Sequence, residues 1–140
     1  AALGAAARLG VDEVTVYARR REALAGIEPV AERLGVRVTA ADWSRAGECG
    51  GADLVVSTVP KGVADELADV RWRRSTVLFD VLYDPWPTPL AASAAAAGCA
   101  VADGLALLLA QAVRQFELFT GVDAPVDAMR HALYNRPKAD

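Results

Sequence analysis

Short β-branched and apolar runs alternate with stretches of helical periodicity along the whole chain. EVTVYA at 13–18, VRVT at 36–39, DLVVSTVP at 53–60, TVLFDV at 76–81 and CAVA at 99–102 read as strands. Between them, 1–9 is an alanine-rich helix ended by Gly10, and 20–34 carries Leu24, Ile27, Ala31 and Leu34 at helical spacing. Brief helices are expected near 42–47 and 63–68, an alanine-rich one over 88–97, and two final ones over 104–119 and 125–134. In the helix over 104–119, Leu105, Leu108, Leu109, Ala112, Phe116 and Phe119 form the expected core-facing stripe. Strands apolar on both faces and separated by helices predict an α/β fold: a Rossmann-type parallel sheet with helices on both faces.

Composition narrows the picture. The 140 residues suffice for one domain with a core. A net charge of −3 argues against a nucleic-acid binder, which needs a basic face to displace counterions. The apolar runs are too short to span a bilayer, and no leader pattern opens the chain, so no membrane partner and a cytoplasmic location are expected. Cys49 and Cys99 lie far apart without metal spacing and read as reduced thiols. His131 is the only histidine, so no metal site is expected. A homodimer is left open.

A dinucleotide-binding sheet opens with a strand, a Gly-rich turn and a helix. Here the helix at 1–9 leads straight into EVTVYA, and Gly4 and Gly10 lack the spacing of that turn. In the doubly wound order the absent strand is central, and losing it would leave a slot of about 9.5 Å. The expectation is therefore an excerpt: residues 1–140 as a partial cofactor domain lacking the first strand and the Gly-rich loop, with a substrate domain elsewhere.

Four places carry candidate chemistry. Ala18-Arg19-Arg20-Arg21 stands where an NAD-selecting enzyme places an acid. Cations at a helix start oppose its dipole, and a bound phosphate would reverse the sign. A solvated helix start is the alternative. Ser57-Thr58-Val59-Pro60-Lys61-Gly62 ends a strand at the edge where open α/β sheets bind ligands, and its small residues permit close approach. Tyr83 follows a strand beside a rigid proline turn; its hydroxyl can donate into a cleft, or the ring can simply pack. Gly104 and Gln111 share nearly one helical face, which suits a cofactor and a polyol, while a solvent-facing Gln111 is the alternative.

Taken together, Asp80-x-x-Tyr83-x-Pro85-x-x-Thr88-x-Leu90 and Asp103-Gly104 followed by Gln111-Ala112 and Phe116-Glu117-x-Phe119-x-Gly121 resemble the C-terminal half of shikimate dehydrogenases. The resemblance implies NADP as cofactor, with Arg19 and Arg20 on the adenosine 2′-phosphate. It implies Ser57, Thr58, Val81, Gly104 and Leu107 at the cofactor, and Tyr83 and Gln111 at the substrate. The implied reaction is reversible reduction of 3-dehydroshikimate to shikimate by NADPH. The family's catalytic Lys–Asp pair belongs to the N-terminal domain, so no catalytic residue is expected here; Lys61 and Lys138 do not replace it.

The chain departs from the family pattern at several positions. Ala18 and Arg20 replace the Asn and Thr of the phosphate motif, Val59 and Val63 alter the loop, and Leu107 replaces a Met. Quinate or aminoshikimate as substrate, NAD as cofactor, and a non-catalytic regulatory relative stay open as alternatives.

Overall fold

The computed structural model describes residues 1–20, 22 and 24–135. Arg21, the third of the arginine run, and Lys138 of the tail lie outside the described residues. The chain divides into two compact units, Ala1–Cys49 and Gly50–Asp140.

In the first unit, helix α1 (Ala2–Arg8) leads to strand β1 (Glu13–Ala18), helix α2 (Glu28–Leu34) and strand β2 (Arg37–Asp42). The strands pair in parallel, Glu13 opposite Arg37 through to Ala18 opposite Asp42. Pairing along all of β1 carries β2 beyond the VRVT run. Helix α2 is shorter than the periodicity over 20–34 predicts, with turns over 24–27 in place of its first part. Pro29 explains this: without an N–H it is tolerated only in a first turn, and Gly26 just before weakens the helix further. Gly35, at φ +67°, closes α2 in the left-handed conformation. A 3-10 helix, Trp43–Gly51, follows β2 and replaces the short α-helix expected near 42–47.

The second unit holds strands β3 (Leu54–Ser57), β4 (Val77–Asp80) and β5 (Ala100–Ala102), in the order β3-β4-β5 and all parallel. These are neighbour pairs that the doubly wound order contains. Helix α3 (Pro89–Ala96) packs its small Ala91 and Ala94 on the sheet beneath Leu78, which is fully buried in the central strand. Trp72, packed against the same core, donates from Nε1 to Ser93 Oγ at 3.0 Å and so ties itself to α3. Helices α4 (Gly104–Thr120) and α5 (Val126–Tyr134) complete the unit.

The apolar stripe expected on α4 is only partly buried. Leu109 is buried and Ala112 and Phe116 are half-buried, but Leu108 is 39% and Phe119 86% exposed. Helix α5 covers α4 around Leu109 and Ala112, and among the described residues no element covers its end. Periodicity reports a stripe; how far along the helix a partner reaches is a tertiary matter.

Candidate functional site

In the first unit the carboxyl end of β1 carries Arg19 in a bend and Arg20 beyond it, both exposed. Among the described residues neither guanidinium forms an ion pair. The nearby 3-10 helix treats its own cation differently. Arg45 forks onto Glu48, with Nε to Oε1 and Nη2 to Oε2 both at 2.8 Å. That hydrogen-bonded pairing holds the Glu48 carboxyl below its ordinary pKa. Burial, then Glu48, push the Tyr17 phenol above its ordinary value, so Tyr17 packs as a neutral group. Arg45 is thus committed within the fold, whereas Arg19 and Arg20 remain available for an anion.

In the second unit the candidates gather where β4 turns towards α4. Val81 N–H donates to the Ser57 carbonyl at 3.0 Å, carrying the β3–β4 ladder one step past the strands. Gly104 N–H donates to the Leu82 carbonyl, also at 3.0 Å. The fit here is so close that a Cβ at position 104 would collide with the Val81 carbonyl oxygen and lie 3.0 Å from Tyr83 Cδ1. Glycine is required at 104 by backbone approach, and the same approach sets the Tyr83 ring against the start of α4. Tyr83 is otherwise open to solvent, at 48% exposure.

Beneath this turn lies Asp80, 1% exposed. It accepts from Leu82 N–H at 3.2 Å and from the Thr88 hydroxyl at 2.8 Å. Thr88, also buried, accepts in turn from Ala91 N–H at 3.1 Å as the N-cap of α3. Next to Asp80 in register, Ser57 is buried too, and its Oγ has no hydrogen-bond partner. Thr58, one residue on, is exposed at the carboxyl edge of the sheet.

Helix α4 starts at this turn under an Asp103 cap, which accepts from Ala106 N–H at 2.9 Å and from the Tyr134 hydroxyl at 3.4 Å. Burial and then Asp103 raise the Tyr134 pKa, which keeps that hydroxyl a donor. Leu107 follows, 38% exposed. Gln111 is exposed and lines a groove of about 310 Å³ with Leu108, Ala112, Met129 and Leu133, floored by α4 and α5.

The second unit therefore brings Ser57, Val81, Tyr83 and Gly104 together. Leu107 and Gln111 follow along α4, and Arg19 and Arg20 belong to the first unit. Asp80 and Thr88 have no role in the sequence reading beyond membership of the Asp-x-x-Tyr-x-Pro-x-x-Thr pattern. The signal was their spacing on either side of the proline turn, where two polar residues flank a segment that must fold back.

Known proteins share the sequence pattern and the fold. Residues 104–134 match the family model described as the Shikimate 5'-dehydrogenase C-terminal domain. A shikimate dehydrogenase (NADP(+)) of Desulfitobacterium hafniense is 37% identical over 97 residues, covering 66% of this chain and 35% of that protein. The crystal structure of Mycobacterium tuberculosis shikimate dehydrogenase superposes with a TM-score of 0.82 at 41% identity, over 95% of this chain and 50% of that one. The quinate dehydrogenase of Corynebacterium glutamicum, in complex with NAD, superposes at 0.79 with 26% identity, over 94% of this chain and 49% of that one. The chain thus spans half or less of the length of these relatives. With parallel strands in both sheets and these likenesses, the chain belongs to the shikimate dehydrogenase family.

Proposed function

We propose that this chain is the NADP-binding part of an oxidoreductase that reversibly reduces 3-dehydroshikimate to shikimate, an oxidoreductase of aromatic amino acid biosynthesis. In this reading a further strand and Gly-rich turn complete the cofactor domain, and a substrate domain contributes the Lys–Asp acid–base pair. The observation that carries the reading is the turn at Val81–Tyr83 packed on Gly104, which supports one compact place for a nicotinamide and a hydroxylated acid. Bound NADPH would supply the hydride. The chain's own residues bind and orient. Arg19 and Arg20 neutralise the 2′-phosphate with guanidinium forks, and Ser57, Thr58, Val81, Gly104 and Leu107 line the nicotinamide end. Tyr83 and Gln111 hydrogen-bond the acid's hydroxyls.

The residues fit the cofactor. Ser57 offers a buried hydroxyl without an internal partner, and the arginines offer cations that no described acid has claimed. The enzyme's partners in this reading are its small-molecule substrate and cofactor; a cytoplasmic location and a homodimer belong to the same reading. Among the described residues no helix is long and apolar enough to cross a membrane.

A second reading is favoured by one observation: a quinate dehydrogenase in complex with NAD is nearly as similar in fold. Steady-state kinetics of the intact enzyme with shikimate and quinate, each with NADP⁺ and NAD⁺, separate the two. The expected result is a kcat/KM for shikimate with NADP⁺ at least about tenfold above every other combination, the scale of one charge-assisted contact. A preference for NAD⁺ would remove the role given to Arg19 and Arg20.

A further inference from the structure

Asp80 is the most deeply buried charged residue in the described core, and the reaction as read above makes no use of it. Taking a carboxylate out of water costs several kcal/mol unless hydrogen bonds replace the lost hydration. Among the described residues no cation lies within ion-pair distance of it. Its compensation comes from two local donors instead. Leu82 N–H approaches Oδ1 at 3.2 Å, and the Thr88 hydroxyl approaches Oδ2 at 2.8 Å. The two oxygens thereby clamp both ends of the segment that carries Tyr83.

The clamp has a direction. Ala91 N–H donates to Thr88 Oγ1, so the hydroxyl proton is left free to point at Asp80. The Leu82 peptide is fixed from its other side as well, because its carbonyl accepts from Gly104 N–H at 3.0 Å. The residue after it is Tyr83, whose ring lies against Gly104. Residues 84–87 are exposed, so the outer part of the turn takes its place from this inner anchor rather than from its own packing.

We propose that Asp80 is a positioning residue: its carboxylate, acting through Leu82 and Thr88, sets where Tyr83 presents its hydroxyl to the substrate. This rests on the reading of Tyr83 as a substrate contact. Asp80 itself touches no substrate. The amide replacement is the informative one. Its oxygen can still accept from Leu82, but its NH₂ group then faces a Thr88 hydroxyl whose proton has no remaining acceptor.

The test is a double-mutant cycle in the intact enzyme, reading kcat and KM for shikimate, KM for NADP⁺, and Tm. Tyr83→Phe should lower kcat/KM for shikimate roughly tenfold, and Asp80→Asn should do so by a similar factor. Added to Tyr83→Phe, Asp80→Asn should cost less than about twofold more, while its effect on Tm is the same in both backgrounds. KM for NADP⁺ should stay within about twofold throughout. A full multiplicative loss in the Tyr83→Phe background would show that Asp80 serves stability alone and overturn the proposal. If Tyr83→Phe leaves shikimate kinetics unchanged, the substrate role of Tyr83 falls, and this proposal falls with it. Should Asp80→Asn fail to fold, Thr88→Val takes its place in the cycle with the same expected coupling. Thr88→Ser, which keeps the hydroxyl, should then restore at least half of the lost kcat/KM; no coupling and no rescue would overturn the proposal.

Discussion

The two units present candidate ligand-binding residues in opposite ways. At the end of β1, Arg19 and Arg20 stand exposed with no internal partners among the described residues, so their contribution is charge. At the end of β4, Val81, Tyr83 and Gly104 are held by backbone bonds, a collision-tight glycine and a buried carboxylate, so their contribution is geometry. Charge tolerates imprecision because it acts over several ångströms; a hydrogen bond to one hydroxyl does not. The difference predicts that substitutions in the first unit change binding and spare the fold. In the second unit the same kind of change should damage both.

The largest effect is expected from Gly104→Ala. The added methyl meets the Val81 carbonyl and cannot be accommodated without moving backbone. Overpacking of this kind costs roughly 1–3 kcal/mol or more, so the variant should unfold at a clearly lower denaturant midpoint and lose turnover. Normal stability in urea titration would show that α4 can slide away from the turn.

Next in size, Arg19→Ala and Arg20→Ala should each weaken NADP⁺ binding by about tenfold to a hundredfold, from charge-assisted contacts worth roughly 1.5–3 kcal/mol. Calorimetric titration should show NAD⁺ affinity and Tm unchanged. Equal losses for both cofactors would mean that the arginines act on something other than the 2′-phosphate.

Thr76→Val should cost about 1–3 kcal/mol of stability with no change in cofactor selectivity. The buried Thr76 hydroxyl serves the carbonyls of Gly50 at 3.1 Å and Ala52 at 2.7 Å, at the edge of the sheet away from Tyr83. Chemical denaturation and the NADP⁺ to NAD⁺ ratio together check both halves of that statement.

Smallest is Arg45→Ala. Its pair with Glu48 is solvent-exposed, and water screens such surface pairs so that they add little to stability. Because the pairing lowers the Glu48 pKa, its stabilising effect is present above the ordinary glutamate range and is lost as pH falls through the depressed value. The stability difference between wild type and Arg45→Ala should therefore shrink in acid, measurable by urea titration at pH 7 and pH 3.

How much of this was legible in the sequence follows the same division. The charge in Ala18-Arg19-Arg20 is visible in one dimension, as are the strand runs and the Gly104 helix start. Parallel pairing followed from strands separated by helices, and the structure bears it out. The start of α2 is not legible in that way: apolar spacing runs unbroken over 20–34, whereas the N–H that Pro29 lacks decides where the helix can begin. The exposure of Phe119 was not legible at all, since it depends on how far α5 reaches. The clamp on Asp80 was present in the motif as spacing only. Its meaning lies in a hydrogen-bond pattern that folds residue 88 back on residue 80, and composition or periodicity carries no trace of that.

The decisive experiment is a crystal structure of the intact enzyme with NADP⁺ and shikimate bound. The guanidinium groups of Arg19 and Arg20 should lie on the 2′-phosphate, and the hydroxyl of Tyr83 and the amide of Gln111 on shikimate. A 2′-phosphate held by other residues, or a shikimate that neither Tyr83 nor Gln111 touches, would contradict those roles.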